Sequence, residues 1–320
     1  MTGSSSRPIR IGSRGSQLAL WQANFIAGAL RARGCQTAIE IIRTTGDRLQ
    51  GTSAPPLAFP TGKGIFIKEI EDALLGGSID LAVHSLKDLP TELAPDFTLA
   101  AIPARADARD VLISEQYASL EALPHGAVVG TGSPRRQAQL RRWRPDLTFI
   151  EFRGNVDTRL KKLAAGHADA IVLAAAGLDR LQKTDWVRQR FSPEMVCPAP
   201  GQGALALECR SNDREMQSIV RPLDDGDARL AVTAERAFLA AMGGGCDAPI
   251  GAYCHRTPDG ELNLLAAVSF ADAAVVAGEM RGRDPLVLGG ALARQLLAQA
   301  APGAGSGIGS GEKAGKGSGA

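Results

Sequence analysis

The stretch PIRIGSRGSQLALWQANF, residues 8–25, decides the fold, because it sets a short apolar strand, a tight loop and a helix in immediate succession. Pro8 to Gly12 reads as the strand. Ser13-Arg14-Gly15-Ser16 is the loop, with a serine where a helix wants its N-cap, and Leu18, Trp21 and Phe25 fall on one face of the helix that follows. A strand that passes through a short loop straight into a helix is half of a βα unit. Such units in series build a parallel sheet covered by helices.

The same rhythm recurs outward from this stretch. Ile65 to Leu75 reads as a helix with Ile67, Ile70 and Leu74 on one stripe, stopped by Gly76-Gly77, and the strand Ile79 to Val83 then runs into His84-Ser85-Leu86-Lys87-Asp88. A second block begins near Asp110. There Ala127 to Gly130 is a strand, Thr131-Gly132-Ser133-Pro134 supplies a cap and an N1 proline, and Arg135-Arg136 opens a helix. Thr148 to Phe152 leads through Arg153-Gly154-Asn155 to a helix over Val156 to Ala165, and Ala168 to Ala174 is the next strand. After Pro200-Gly201-Gln202-Gly203, the run Ala204 to Cys209 is placed to return to the first sheet.

From about Asp227 the texture changes. One helix runs to Met242, the loop Gly243-Gly244-Gly245-Cys246 follows, and short runs near 250–255, 262–270 and 274–281 precede a last helix to Ala300. Turn signals such as Pro258-Asp259-Gly260 between them predict a small antiparallel sheet with helices on one face. The expected organisation is therefore α/β: one lobe over 7–105 and 200–224, a second over 106–199, both with mainly parallel sheets, then a small α+β unit over 225–301. Residues 302–320, nearly all Gly, Ala and Ser, are expected to be a disordered tail.

Composition narrows the function. The 320 residues are 44% hydrophobic, enough for several cores, and 36 Lys+Arg against 34 Asp+Glu leave a net charge of +2, too little for a global field that would recruit nucleic acid or an anionic membrane. No apolar run is long enough to span a bilayer, and the first residues lack the apolar core of a secretory signal, so a cytoplasmic location is expected. The five cysteines, Cys35, Cys197, Cys209, Cys246 and Cys254, are scattered without a C-x-x-C pair, and the four histidines form no H-E-x-x-H. Neither a disulfide framework nor a metal site is expected.

Ligands of open parallel sheets bind beyond the carboxyl ends of the strands. Loops at those ends carry Arg14, Lys87, Arg135-Arg136 and Arg153, with Arg159 further into its helix, a set suited to a ligand with several carboxylates or phosphates, although any one arginine taken alone reads more readily as a solvated surface charge. The chain has no P-loop, and Gly130-Thr131-Gly132 lacks the third glycine of a dinucleotide fingerprint. Asp88 is the acid of a loop otherwise rich in donors: it can stabilise a transient cation and move a proton, or it can cap the turn at Pro90. Cys246, after three glycines, reads either as a buried free thiol or as an uncrowded attachment point. His84 reads as a packed strand-end residue.

These stretches together resemble the porphobilinogen deaminase family from Ile9 to about Ala300. The resemblance is carried by 13–22 (SRGSQLALWQ), 62–66 (GKGIF), 84–90 (HSLKDLP), 130–137 (GTGSPRRQ), 153–155 (RGN), 201–203 (GQG) and 244–251 (GGCDAPIG), in order. It implies a transferase that joins four porphobilinogen molecules head to tail with loss of ammonia, on two lobes like those of periplasmic binding proteins. It implies further a dipyrromethane primer held covalently by Cys246, with Arg135, Arg136, Lys87, Ser133, Thr131 and Ser85 as cofactor binders. Arg14, Ser16, Gln22, Arg153, Asn155, Arg159, Arg180 and Gln202 match substrate binders, Asp88 the catalytic aspartate, and Lys63 lies in the lid, roughly 46–61. No metal or nucleotide is implied, and the resemblance suggests a monomer. The chain departs from the pattern at Gly132, where a serine is expected, and at Pro134, Gly243 and Phe59-Pro60. The rival expectation is a two-lobed binding protein that holds a small carboxylate without transforming it.

Overall fold

The computed structural model describes residues 7–43, 67–243, 249–270 and 275–300. Lys63 and the lid around it, Cys246 and the tail fall outside them. The first lobe contains β1 (Ile9–Ser13), α1 (Gln17–Arg31), β2 (Thr37–Ile41), α2 (Lys68–Leu75), β3 (Leu81–Ser85) and β4 (Phe97–Ala101). The chain then crosses to β5 (Asp110–Ile113), β6 (Val128–Gly130), α3 (Pro134–Trp143), β7 (Thr148–Ile150), α4 (Val156–Ala164), β8 (Ala170–Ala174), α5 (Ala175–Arg180) and β9 (Val187–Arg190). It crosses back to deliver β10 (Leu205–Arg210), followed by α6 (Arg214–Val220).

The two sheets share one plan, with strand orders β2-β1-β3-β10-β4 and β7-β6-β8-β5-β9. In the first, β1 is parallel to β2 and β3, while β10 is antiparallel to both β3 and β4. In the second, β6 is parallel to β7 and β8, while β5 is antiparallel to β8 and β9. Each sheet is thus mainly parallel with a single reversed strand, and in each the reversed strand is the one laid down just after a crossing. β10 does return to the first sheet as expected, closing that lobe with a strand from far along the chain.

Local signals account for the elements that point at the cleft. Ser16 caps α1, its hydroxyl accepting from the Ala19 N–H at 3.3 Å. The buried stripe of that helix is Gln22, Ala23, Ile26, Ala27 and Leu30, beside the face that carries Leu18, Trp21 and Phe25. Small alanines let the helix approach the sheet closely. Trp21 and Phe25 instead stack on each other at 5.3 Å, with Phe25 half exposed. Pro134 opens α3 as expected, but the Ser133 side chain makes no capping bond there.

The third unit packs α7 (Gly226–Ala241) and α8 (Pro285–Ala300) on one face of the antiparallel sheet β11 (Ile250–Arg256), β12 (Leu262–Ser269), β13 (Val275–Gly282). Its core includes Phe238, Leu264, Leu292 and Leu296. Among the described residues, no helix is long and apolar enough to cross a membrane.

Candidate active site

Loops from the carboxyl ends of β3, β6 and β7 converge on a cavity of about 360 Å³. Lys87 and Asp88 come from a 3-10 turn after β3, Gly132 to Arg136 from the start of α3, Glu151 to Arg153 from the end of β7, and Arg159 from α4. Ala199, Pro200 and Gln202 of the return crossing close one side. Leu239 and Ile250 bring the third unit to the wall.

The turn that presents Asp88 is held at both ends. The Leu86 N–H donates to Ala204 O at 3.0 Å and the Leu89 N–H to Leu86 O at 3.1 Å, with both leucine side chains buried, so Lys87 and Asp88 between them face the cavity. Gly201 and Gly203 make this possible. Their φ angles of +73° and +85° lie in the left-handed region, and a Cβ on Gly203 would fall 2.6 Å from Ala106 O. The Asp88 side chain is exposed and takes no hydrogen bond among the described residues, so it is available to a ligand. Lys87 reaches Gln202 Oε1 at 3.4 Å, and burial pushes its ammonium down to about 8, with Asp88 opposing that shift and Arg136 adding to it.

Across the cavity, Arg135 and Arg136 are buried and share one carboxylate. Asp110, fully buried on β5, lies 2.7 Å from Arg135 Nη2 and 2.7 Å from Arg136 Nη2. Burial alone would raise the Asp110 pKa, but the two guanidinium groups win and hold it far below the usual carboxylate range. Arg136 also donates to Val172 O at 3.0 Å. Arg135 donates to Cys197 O, which Gln139 Nε2 also reaches at 3.1 Å. The surface-charge reading is therefore excluded for these two arginines. Two cations on one anion leave a net positive charge built into the wall, where the low dielectric strengthens its pull on carboxylates.

The wall thus includes Asp88, Lys87, Ser133, Arg135, Arg136, Arg153, Arg159 and Gln202 of the anticipated residues. The Arg159 guanidinium donates from Nε to Gly154 O at 2.7 Å, and burial lowers its pKa to about 10. The others stand outside the wall. Gln22 Nε2 donates to Ser85 Oγ at 2.8 Å, tying α1 to β3. Thr131 Oγ1 accepts from the Ser133 N–H at 3.2 Å, and Asn155 Oδ1 caps α4 by accepting from the Thr158 N–H at 2.9 Å. Arg180 Nη2 donates to Gly203 O at 2.8 Å, its guanidinium lies 5.7 Å over the Trp21 ring, and burial lowers its pKa to about 10. Ser16 is spent on its helix cap, and Arg14 sits half exposed after β1.

Sequence reasoning missed the acids that hold the site together. Asp110 gave no signal, because its partners are distant in the chain, Arg136 lying 26 residues away and Gln202 92. Glu235 on α7 is fully buried and accepts from Arg105 Nη1 and Nη2 at 2.6 and 3.0 Å, from the Gly201 N–H at 2.7 Å and from the Cys254 N–H at 2.8 Å. A signal existed here: Glu235 falls on the stripe Ala228, Ala231, Val232, Phe238, Leu239, where an acid has no place unless partners await it.

Comparison with known proteins gives two family matches. Residues 9–218 match the model described as "Porphobilinogen deaminase, dipyromethane cofactor binding domain", and residues 229–298 match "Porphobilinogen deaminase, C-terminal domain". A porphobilinogen deaminase of Roseiflexus sp. (strain RS-1) is 50% identical over 293 residues, covering 90% of this chain and 95% of the relative. One of Brevibacillus brevis is 44% identical over 295 residues, covering 91% and 94%. Among solved structures, the match to the periplasmic VFT2 domain of Bordetella pertussis BvgS is 14% identical, covers 67% of this chain and 85% of that chain, and has a TM-score of 0.40.

Proposed function

The chain belongs to the porphobilinogen deaminase family, and from that premise we propose how its own residues carry the family's reaction. The reaction condenses four porphobilinogens head to tail on the primer, releasing one ammonia at each addition, and water then cleaves the bond to the primer to yield the linear tetrapyrrole hydroxymethylbilane, which makes the chain a hydroxymethylbilane synthase; a binding protein that leaves its ligand unchanged is not favoured. Each porphobilinogen carries an acetate and a propionate. A cavity lined by Lys87, Arg153, Arg159 and the buried Arg135–Arg136 pair suits that chemistry, and it suits the carboxylates of a dipyrromethane cofactor equally. When bound, the cofactor supplies the pyrrole carbon on which the product chain begins.

Asp88 is the catalytic residue in this reading. Loss of ammonia from the aminomethyl carbon leaves an azafulvenium cation on the substrate, and the Asp88 carboxylate, facing the cavity without a competing hydrogen bond among the described residues, stabilises it. The same carboxylate then takes the proton shed from a pyrrole α-carbon. Lys87, Arg153 and Arg159 hold the substrate carboxylates, while Arg135 and Arg136 supply fixed positive charge. Thr131, Ser85, Gln22, Ser16, Asn155 and Arg180 act by positioning the wall. Arg14 is assigned to substrate carboxylates at the first lobe's edge.

Cys246 is the attachment point. Ile250, four residues further on, lines the cavity, and a chain segment of that length spans at most about 14 Å. We assign the three units to 7–105 with 200–224, 106–199 and 225–301, and we propose a monomer working in the cytoplasm. The observation that carries the reading is the sharing of one cavity by Asp88 and the arginine cluster. Intact mass of the denatured protein tests the cofactor: the wild type should carry the added dipyrromethane, and Cys246→Ser should not. Asp88→Asn should keep that mass yet lose about a hundred- to a thousandfold in kcat; wild-type turnover in this variant would remove Asp88 from its role.

A further inference from the structure

Among the described residues lining the cavity two are acidic, and the mechanism uses only Asp88. The other is Glu151, at the end of β7. Its Oε1 accepts from Arg153 Nε at 2.5 Å, and it lies close over the loop before α3: a Cβ on Gly132 would fall 3.8 Å from that same oxygen. The carboxylate therefore stands where cavity wall, guanidinium and loop meet, in a position suited to the carboxylate of a ligand.

This pair differs in kind from the one behind it. Asp110 and its two arginines are buried and do not exchange, whereas the side chains of Arg153 and Glu151 are 67% and 51% exposed. An exposed pair of this kind is weak and open to competition from another carboxylate. A product that lengthens stepwise needs binding groups that release a carboxylate as readily as they take it, because a site that holds each intermediate tightly slows the next addition.

We propose that Glu151 is a resident carboxylate that occupies Arg153 until a carboxylate of porphobilinogen or of the growing pyrrole chain displaces it, and that it thereby sets the affinity of the site. The inference rests on the reading of Arg153 as a substrate-carboxylate binder. Glu151 does no chemistry. It keeps the guanidinium oriented toward the cavity and makes each arriving carboxylate exchange for one already present.

Steady-state kinetics with porphobilinogen on the holoenzyme test this with Glu151→Gln, Arg153→Gln and the double variant. Glu151→Gln should lower KM by about two- to fivefold, the worth of one exposed ion pair, with kcat no higher than wild type. Arg153→Gln should raise KM, and in that background Glu151→Gln should have no further effect. An unchanged or raised KM in Glu151→Gln, while Arg153→Gln still raises it, overturns the resident-carboxylate role alone. A fall in KM that persists without Arg153 also overturns it, because removing one negative charge from the cavity would then explain everything. If Arg153→Gln leaves KM untouched, the reading of Arg153 fails and takes this inference with it.

Discussion

The two lobes are built to one plan and put it to different uses. In each sheet the reversed strand brings a fully buried acid against a neighbouring basic residue: Glu208 on β10 meets His84 at 2.9 Å, and Asp110 on β5 meets Arg136 at 2.7 Å. The first pair matches one acid with one imidazole. The second sets one acid between two guanidinium groups, Arg135 and Arg136, so the second lobe carries an excess of positive charge into its interior. The first lobe offers the cavity the exposed carboxylate of Asp88 on a well-braced turn, and the second offers a fixed electropositive wall. The reversed strand carries a buried acid in both lobes, at mid-strand opposite Ala82 in the first and opposite the last residue of β8 in the second, and only the second acid stands behind the cavity wall.

This contrast can be broken most decisively at Asp110. Asp110→Asn leaves two buried cations without their shared anion, and it is expected to cost about 3–5 kcal/mol in unfolding free energy by denaturant titration. Glu208→Gln, which removes the partner of a single imidazole rather than of two guanidinium groups, is expected to cost about 1–2 kcal/mol; equal losses in the two variants would erase the distinction between the lobes. Acid unfolding sharpens the point. Because the folded-state pKa of Asp110 is depressed, its stabilisation is present in full above the ordinary aspartate range, about pH 4, and drains away as pH falls below it. A plot of unfolding free energy against pH should therefore fall more steeply below about pH 4 in the wild type than in Asp110→Asn.

The first lobe's contribution to charge is the conditional one. With Lys87 near 8, its hold on carboxylates should weaken as pH rises through that value, so KM for porphobilinogen is expected to climb between pH 7 and 9 in the wild type and to stay flatter in Lys87→Arg. The smallest effect separates two loops at equivalent places in the two sheets. Ser16 caps its helix and Ser133 does not, so Ser16→Ala should cost about 1 kcal/mol in thermal or denaturant unfolding while Ser133→Ala stays within about 0.5 kcal/mol.

Features set by neighbours in the chain were legible beforehand. The apolar runs, Ser16, Pro134 and the Gly76-Gly77 stop placed strands and helix ends, and the loops at strand ends pointed to the cavity. Pairings between distant residues were not legible, since nothing near Asp110 announces Arg135 and Arg136. The face of α1 that packs on the sheet is set largely by small alanines, which carry a weak hydropathy signal in the sequence. The side chains of the motif residues Asn155, Gln22 and Thr131 bond within the fold and are not part of the cavity wall.

Glu235 has a consequence for modularity. Residues of the outbound crossing, the return crossing and the third unit all terminate on its two oxygens, so the C-terminal unit is not a detachable cartridge. A chimaera that grafts residues 226–300 from a distant relative onto these lobes would have to import an acid at this one position, or leave the partly buried Arg105 against the graft with no counter-charge.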